Sequence, residues 1–371
     1  MLSLMTRWMW MTVAVALAAG CGGDDDDSTG TGGAAGDTGS SGSSGQSGGA
    51  GAGGSTGDAG ASGAPGAGGA SGASAQAAAE AVAKGNALCT GLGDFYWEIG
   101  DSKGVLASGS TGKGTVGAST TMLIASSSKW IFGAYAVEVN KADLGKLDQA
   151  SLTMRSGHTS FTSCAGTKTV QACATAGDNG KVTDANVGKF SYGGGHFQAY
   201  GVALGMGSLG TEADGSLGVE VRKVLGLELP IDYATPQLAG GMRASASSYA
   251  VFLRRLMGGE IELGKHLGEN AVCTLPGSAC PEAVYSPAPL PWHYSYGHWV
   301  EDDAGSDGAF SSAGAFGFYP WISADRSLYG ILARVDLASA GAGGEEDDKT
   351  GAGNASVQCG RLIRQAYVTA P

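Results

Sequence analysis

The chain has 371 residues, 43% of them hydrophobic, and its 34 acidic against 22 basic side chains give a formal net charge of −12. An acidic chain with no basic block argues against nucleic-acid binding. Its length, by contrast, leaves ample room for a large folded core beyond any low-complexity part.

Residues 1–21 read as an export signal. Arg7 supplies a positive start, and Met11 to Ala19 is apolar but too short to span a bilayer. The run ends in Leu17-Ala18-Ala19-Gly20-Cys21, and small residues before a cysteine at this place resemble a bacterial lipobox. The resemblance implies an exported protein anchored to the membrane by a lipid on Cys21. Gly22 in place of Asp after the cysteine favours the outer membrane where the host has two. Residues 22–75 hold 21 glycines in 54 positions, with Ser, Ala and Thr filling most of the rest. Such a segment has little to bury and reads as a disordered tether with a reach of about 40 Å. Half of the net charge lies there, in Asp24 to Asp27, Asp37 and Asp58. Its Gly45-Gln46-Ser47-Gly48-Gly49 fits a nucleophile-elbow pattern, but no strand precedes it and no helix follows, so it carries no chemistry.

The folded domain is expected over 76–371. Cys21 assigned to the lipid leaves six cysteines, and an exported chain matures where thiols oxidise. Spacing favours Cys164–Cys173 and Cys273–Cys280 as short loops, leaving Cys89–Cys359 to clamp the two ends of the domain. No C-x-x-C or H-E-x-x-H spacing suggests a metal site.

In chain order, Asp94–Gly100 reads as a strand that turns at 101–104 into a second at 105–109. Ser126–Val139 has helical apolar spacing, and Arg243–Met257 carries a stripe of Tyr249, Phe252, Leu253 and Leu256 between glycine pairs. From residue 290 the period changes to two: His293–Val300, Phe310–Ile322 and Leu328–Val335 read as strands, before a last helix over Ala355–Val368. The expected fold is therefore α/β (α+β). An antiparallel sheet flanked by helices comes from 76–145 and 291–371, with a mainly helical subdomain at 146–290.

The chemistry-bearing motif is Ser126-Ser127-Ser128-Lys129. Positions three apart share a helix face, so Ser126 Oγ and Lys129 Nζ are placed to meet. A serine becomes a nucleophile when a neighbouring base takes its proton, and a desolvated lysine can be that base. A second S-x-x-K, Ser110 to Lys113, lies among Gly and Thr with no apolar helix after it and is set aside.

Three downstream segments and a glycine-containing strand lift this reading. Leu152-Thr-Met-Arg-Ser-Gly-His-Thr159 resembles "LLxHTSG", Phe190-Ser-Tyr-Gly-Gly-Gly-His-Phe197 resembles "FxYSNxxY", and Leu238-Ala-Gly-Gly-Met-Arg243 resembles "AGGL". Ser312-Ala-Gly-Ala-Phe-Gly317 fits the "HxGxxG" or "KTG" strand. In this order and spacing the chain resembles the serine β-lactamase and penicillin-binding-protein-like superfamily, class C branch, over nearly all of residues 90–366. The resemblance implies Ser126 as acylated nucleophile, Lys129 or Tyr192 as the working base, and Tyr192 as the group that shuttles the proton to the leaving group and then activates water. It also implies an oxyanion hole from the backbone N–H groups of Ser126 and Ala315, and substrate contacts at Gly194, Ser312 and Gly314. His196 is expected to be structural. Of His293, Tyr294, Tyr296, His298 and Trp299, most are expected in the core or cleft wall.

Two positions depart from the family pattern. Gly194 stands where Asn or Ser is usual, and Ser312 where Lys or His opens the last motif. A cleft without that cation binds anionic ligands less well, so an esterase or peptidase acting on an uncharged or bulky acyl group is expected, rather than an efficient β-lactamase. The competing expectation is a non-catalytic binding protein on the same fold that recognises cell-wall fragments or another ligand. No cofactor is expected, the partner is a small-molecule, peptide or ester substrate, and the domain is expected to be a monomer.

Overall fold

A computed structural model describes residues 67–211, 215–228, 230–338 and 351–371. The signal sequence, Cys21 and most of the tether lie outside them.

The first described element is helix α1, Ala67–Gly85, so the last residues of the segment read as tether are helical and the domain begins before residue 76. Alanine, the best helix former, dominates residues 73–83 and carries the helix back through the glycines. Ala75, Ala79 and Ala83, four apart, are buried, and these small side chains let α1 pack closely on the C-terminal helix. Gln76 bonds both the carbonyl (3.0 Å) and the N–H (2.9 Å) of Ser108, covering an exposed sheet edge with a side-chain amide.

Eight strands form one antiparallel sheet: β1 (Tyr96–Gly100), β2 (Val105–Ser110), β3 (Val272–Cys273), β4 (His293–Tyr294), β5 (Trp299–Val300), β6 (Phe310–Ser311), β7 (Tyr319–Ile322) and β8 (Tyr329–Ala333). Their order is β2-β1-β8-β7-β6-β5-β4-β3, so the two ends of the domain meet at the β1–β8 pair. Two expected strands are hairpins. His293–Val300 folds at Gly297, whose φ of 81° suits glycine. A Cβ at Gly297 would lie 2.4 Å from the Lys129 carbonyl, so the turn tucks beneath the helix that carries Lys129. Phe310–Ile322 likewise splits into β6 and β7, and the turn between them faces the cleft described below. The span read as helical also donates β3 to the sheet edge.

The helices that matter here are α2 (Ser128–Val139), α3 (Gly195–Gly201), α4 (Ser216–Leu225), α5 (Ala246–Met257) and α6 (Ala352–Thr369). Ser128 to Val137 of α2 are all buried, as expected of a helix apolar all round. α5 begins later than Arg243, because Met242–Ala244 pairs as a short strand and Ser245 caps the helix by accepting from Ser248 N at 3.2 Å. Helices cover both faces of the sheet. Tyr319 and Trp321 point to α6, where Arg364 meets them, whereas Tyr329, paired with Ile322, points to α5 and Arg254. Burial on both faces explains why β1, β7 and β8 are buried at every residue.

Cys89 pairs with Cys359, Cys164 with Cys173 and Cys273 with Cys280, a pattern that fits an extracytoplasmic protein. Among the described residues no helix is long and apolar enough to cross a membrane.

A buried charge cluster fixes α6 to the sheet. Arg364 Nη2 donates to Glu301 Oε2 at 2.8 Å and its Nε lies 2.8 Å from Asp307, while Tyr319 Oη donates to Glu301 Oε1 at 2.7 Å. Glu301 is fully buried and Arg364 nearly so. Glu301→Ala leaves the buried guanidinium with only the half-exposed Asp307 as counter-charge and Tyr319 Oη without its acceptor, and is expected to cost about 3 kcal/mol, read as a lower urea midpoint at unchanged m-value.

Candidate active site

Ser126 lies in a 3-10 turn, Ala125–Ser127, that opens α2. Ala125 has φ 44°, a left-handed conformation that costs a non-glycine residue roughly 1 kcal/mol. The neighbouring serines over-determine it. Ser128 Oγ donates to the Ala125 carbonyl at 2.6 Å and accepts from Met242 N at 3.2 Å. Ser127 Oγ lies 2.6 Å from the Ser312 carbonyl and 3.0 Å from that of Phe318, and Tyr249 Oη donates to the Ser127 carbonyl at 2.8 Å. Two of the three consecutive serines therefore hold the turn, and Ser126 faces a cleft.

Lys129 is buried one helical turn on. Its Nζ donates to Ser126 Oγ at 2.9 Å and to the Ala239 carbonyl, in the segment before α5, at 3.0 Å. Burial without an opposing charge pulls the amine down to about 7. Tyr192 stacks on Trp299, with ring centroids 5.2 Å apart, and meets Tyr294 edge-on. The Lys129 ammonium position lies 4.6 Å from the centre of the Tyr192 ring.

The cleft holds about 630 Å³ of empty space, open to solvent, and is lined by Ser126, Tyr192, Trp292, Trp299, residues 313–315 and the first turn of α6. None of its lining side chains is charged. Gly314 must be glycine, because a Cβ there would sit 2.2 Å from the Ile124 carbonyl. That close approach brings Ala315 to the mouth of the cleft alongside Ser126.

The structure brings Ser126, Tyr192, Gly314 and Ala315 to the cleft wall, with Lys129 behind Ser126. It does not bring Gly194 or Ser312 there. A Cβ at Gly194 would lie 2.8 Å from the Phe161 ring, which fills that space. Ser312 is buried and donates from Oγ to the Ser126 carbonyl at 3.1 Å, bracing the turn from below. His196 is buried too, between Ser156 Oγ (2.7 Å) and the Ser191 carbonyl (3.0 Å), and burial holds its imidazole down at about 4. It thus stays neutral and holds the Ser191 carbonyl, next to Tyr192, in place. The second S-x-x-K runs from the end of β2 into a turn, with Ser110 Oγ donating to the Val116 carbonyl at 2.9 Å. The α6 wall, with Gly351, Gly353, Asn354 and Val357, was not legible in the sequence, since Gly-Ala-Gly-Asn reads only as a helix approach. Among the described residues no cluster of three or more His, Cys, Asp or Glu is placed to hold a metal ion.

No family model matches the chain. No curated protein matches it either. Solved structures do. A putative β-lactamase from Bacteroides dorei is 20% identical, with 73% of this chain and 94% of that one covered at a TM-score of 0.51. D-amino acid amidase from Ochrobactrum anthropi is 13% identical, with 80% and 99% covered at 0.54. EstCE1, described as a hydrolase with promiscuous acyltransferase activity, is likewise 13% identical, with 80% and 99% covered at 0.54. The chain has the β-lactamase/D,D-peptidase-like fold of these structures.

Proposed function

We propose that the protein is a serine hydrolase of the cell envelope, lipid-anchored through Cys21, that cleaves an ester or amide through an acyl-enzyme. The observation that carries this reading is the 2.9 Å contact between Lys129 Nζ and Ser126 Oγ, made by an amine whose burial lowers it to about 7. Near neutral pH a large share of that amine is uncharged, and its lone pair can take the Ser126 proton. The oxygen then attacks the substrate carbonyl, and the backbone N–H groups of Ser126 and Ala315 receive the oxyanion. Tyr192 passes a proton to the departing group, and water later attacks the acyl-enzyme by the reverse route. The uncharged cleft favours neutral esters and amides over anionic β-lactams. The likeness to an amidase and to a hydrolase with acyltransferase activity fits acyl transfer.

The test is covalent labelling of the purified domain with a fluorophosphonate and, separately, a fluorescent penicillin. The expected result is a fluorophosphonate adduct mapped to Ser126 and absent from Ser126→Ala. No adduct from either reagent would sink the enzyme reading and leave a binding protein with the same cleft.

A further inference from the structure

The Ser126 cleft adjoins a second depression, open to solvent and with about 870 Å³ of empty space, and Trp292, Asn354 and Val357 line both. The floor of that depression is one stripe of α6, Asn354, Val357, Gln358, Arg361, Leu362 and Gln365 at helical spacing, whose aliphatic stems make most of the surface it presents. Its far wall is Leu88 and Leu290. Leu88 is 50% exposed, so its apolar surface is accessible on that wall.

Both walls are held in place. The disulfide from Cys89 to Cys359 ties the residue next to Leu88 directly to α6. Trp292 is fixed through its indole N–H to Asp303 (2.5 Å) and its carbonyl to Thr274 Oγ1 (2.5 Å). The groove's cation, Arg361, is already paired with Asp303 at 3.2 Å and lies 5.7 Å from the centre of the Trp292 ring, so its charge is compensated. A preformed apolar groove with its charge compensated suits an uncharged hydrocarbon chain. The chain's own tether is a poor occupant, because residues 22–66 contain no Val, Leu, Ile, Met or aromatic residue.

We infer that this groove receives a linear apolar arm of the substrate, so that the preferred substrates are neutral esters or amides bearing a medium-length or longer alkyl chain. The inference rests on the acyl-enzyme reading of Ser126. The shared chemistry is the alkyl chain, whether it enters on the acyl or the alcohol side, and two substrate series distinguish these. One is p-nitrophenyl esters from acetate to decanoate; the other is n-alkyl acetates from ethyl to decyl.

A fully buried methylene is worth about fourfold and a half-open groove gives about twofold, so kcat/KM is expected to rise about 50-fold from acetate to octanoate, or over the same added length in the alkyl series. In Leu88→Asp/Leu362→Asp, with its thermal midpoint checked, that ratio is expected to fall to within about threefold of unity. A wild-type ratio near unity in both series overturns the proposal, as does a ratio that the double variant leaves unchanged. Fluorophosphonate labelling of the same preparation separates the two failures. A labelled Ser126 with flat chain-length dependence removes the groove alone, whereas no labelling and no turnover removes the reading of Ser126 and the groove with it.

Discussion

Ser126→Ala is expected to lower kcat/KM on a neutral ester by about ten-thousandfold or more, because removing the attacking atom leaves only binding and oxyanion contacts. The adjacent serines make this a sharp comparison. Ser127 and Ser128 have the same side chain but spend it on the Ser312, Phe318 and Ala125 carbonyls. Ser127→Ala and Ser128→Ala are expected to cost about 1–3 kcal/mol of stability each, with activity falling far less than in Ser126→Ala. Equal losses of activity at all three positions would mean that the turn is merely fragile, and that Ser126 has no special chemistry. Steady-state kinetics and urea denaturation on the three variants together decide it.

Lys129→Met is expected to lower kcat by about a thousandfold while the protein becomes more stable. The amine is at about 7 in the fold against an ordinary 10.5, so the unfolded chain binds more protons than the folded one between those values. Wild-type stability therefore rises with pH across that window, and below about 7 the fold must hold a desolvated ammonium. Methionine removes that burden. The gain in Tm of Lys129→Met over wild type is expected to be largest near pH 6 and to shrink as pH rises above 7. Activity runs the same way: only the neutral amine accepts a proton, so wild-type kcat/KM is expected to fall about tenfold per pH unit below an apparent value near 7. That limb is expected to vanish in Lys129→Met. Lys129→Arg is expected to be inactive and less stable than wild type, because guanidinium stays protonated at every accessible pH. A wild-type profile flat from pH 5 to 8 would remove Lys129 as the base.

Periodicity located β1, β2, α2, α5 and α6, because those segments carry enough residues for an apolar pattern to repeat. It misjudged the stretches over residues 293–300 and 310–322. An alternating run reads alike whether the chain goes straight or doubles back, and only the close contacts of Gly297 with Lys129 and of Gly314 with Ile124 show where it turns. The Ala-rich helix before residue 76 was hidden for a different reason. Its glycines look like tether, and its helicity depends on packing Ala75, Ala79 and Ala83 against the C-terminal helix.

The site divides in the same way. Ser126 and Lys129 were legible because their partnership is local, three residues apart on one helical turn. Gly194 and Ser312 were assigned to substrate by their place in a motif, yet the fold puts Phe161 over one and turns the other beneath the Ser126 carbonyl. The sequence by itself determined the pair that can do chemistry and the order of the segments around it. Tertiary structure alone decided how deeply Lys129 is buried, which walls enclose the cleft and that a second groove adjoins it. Those properties depend on which distant residues come to lie against α2 and α6, and no local pattern records them.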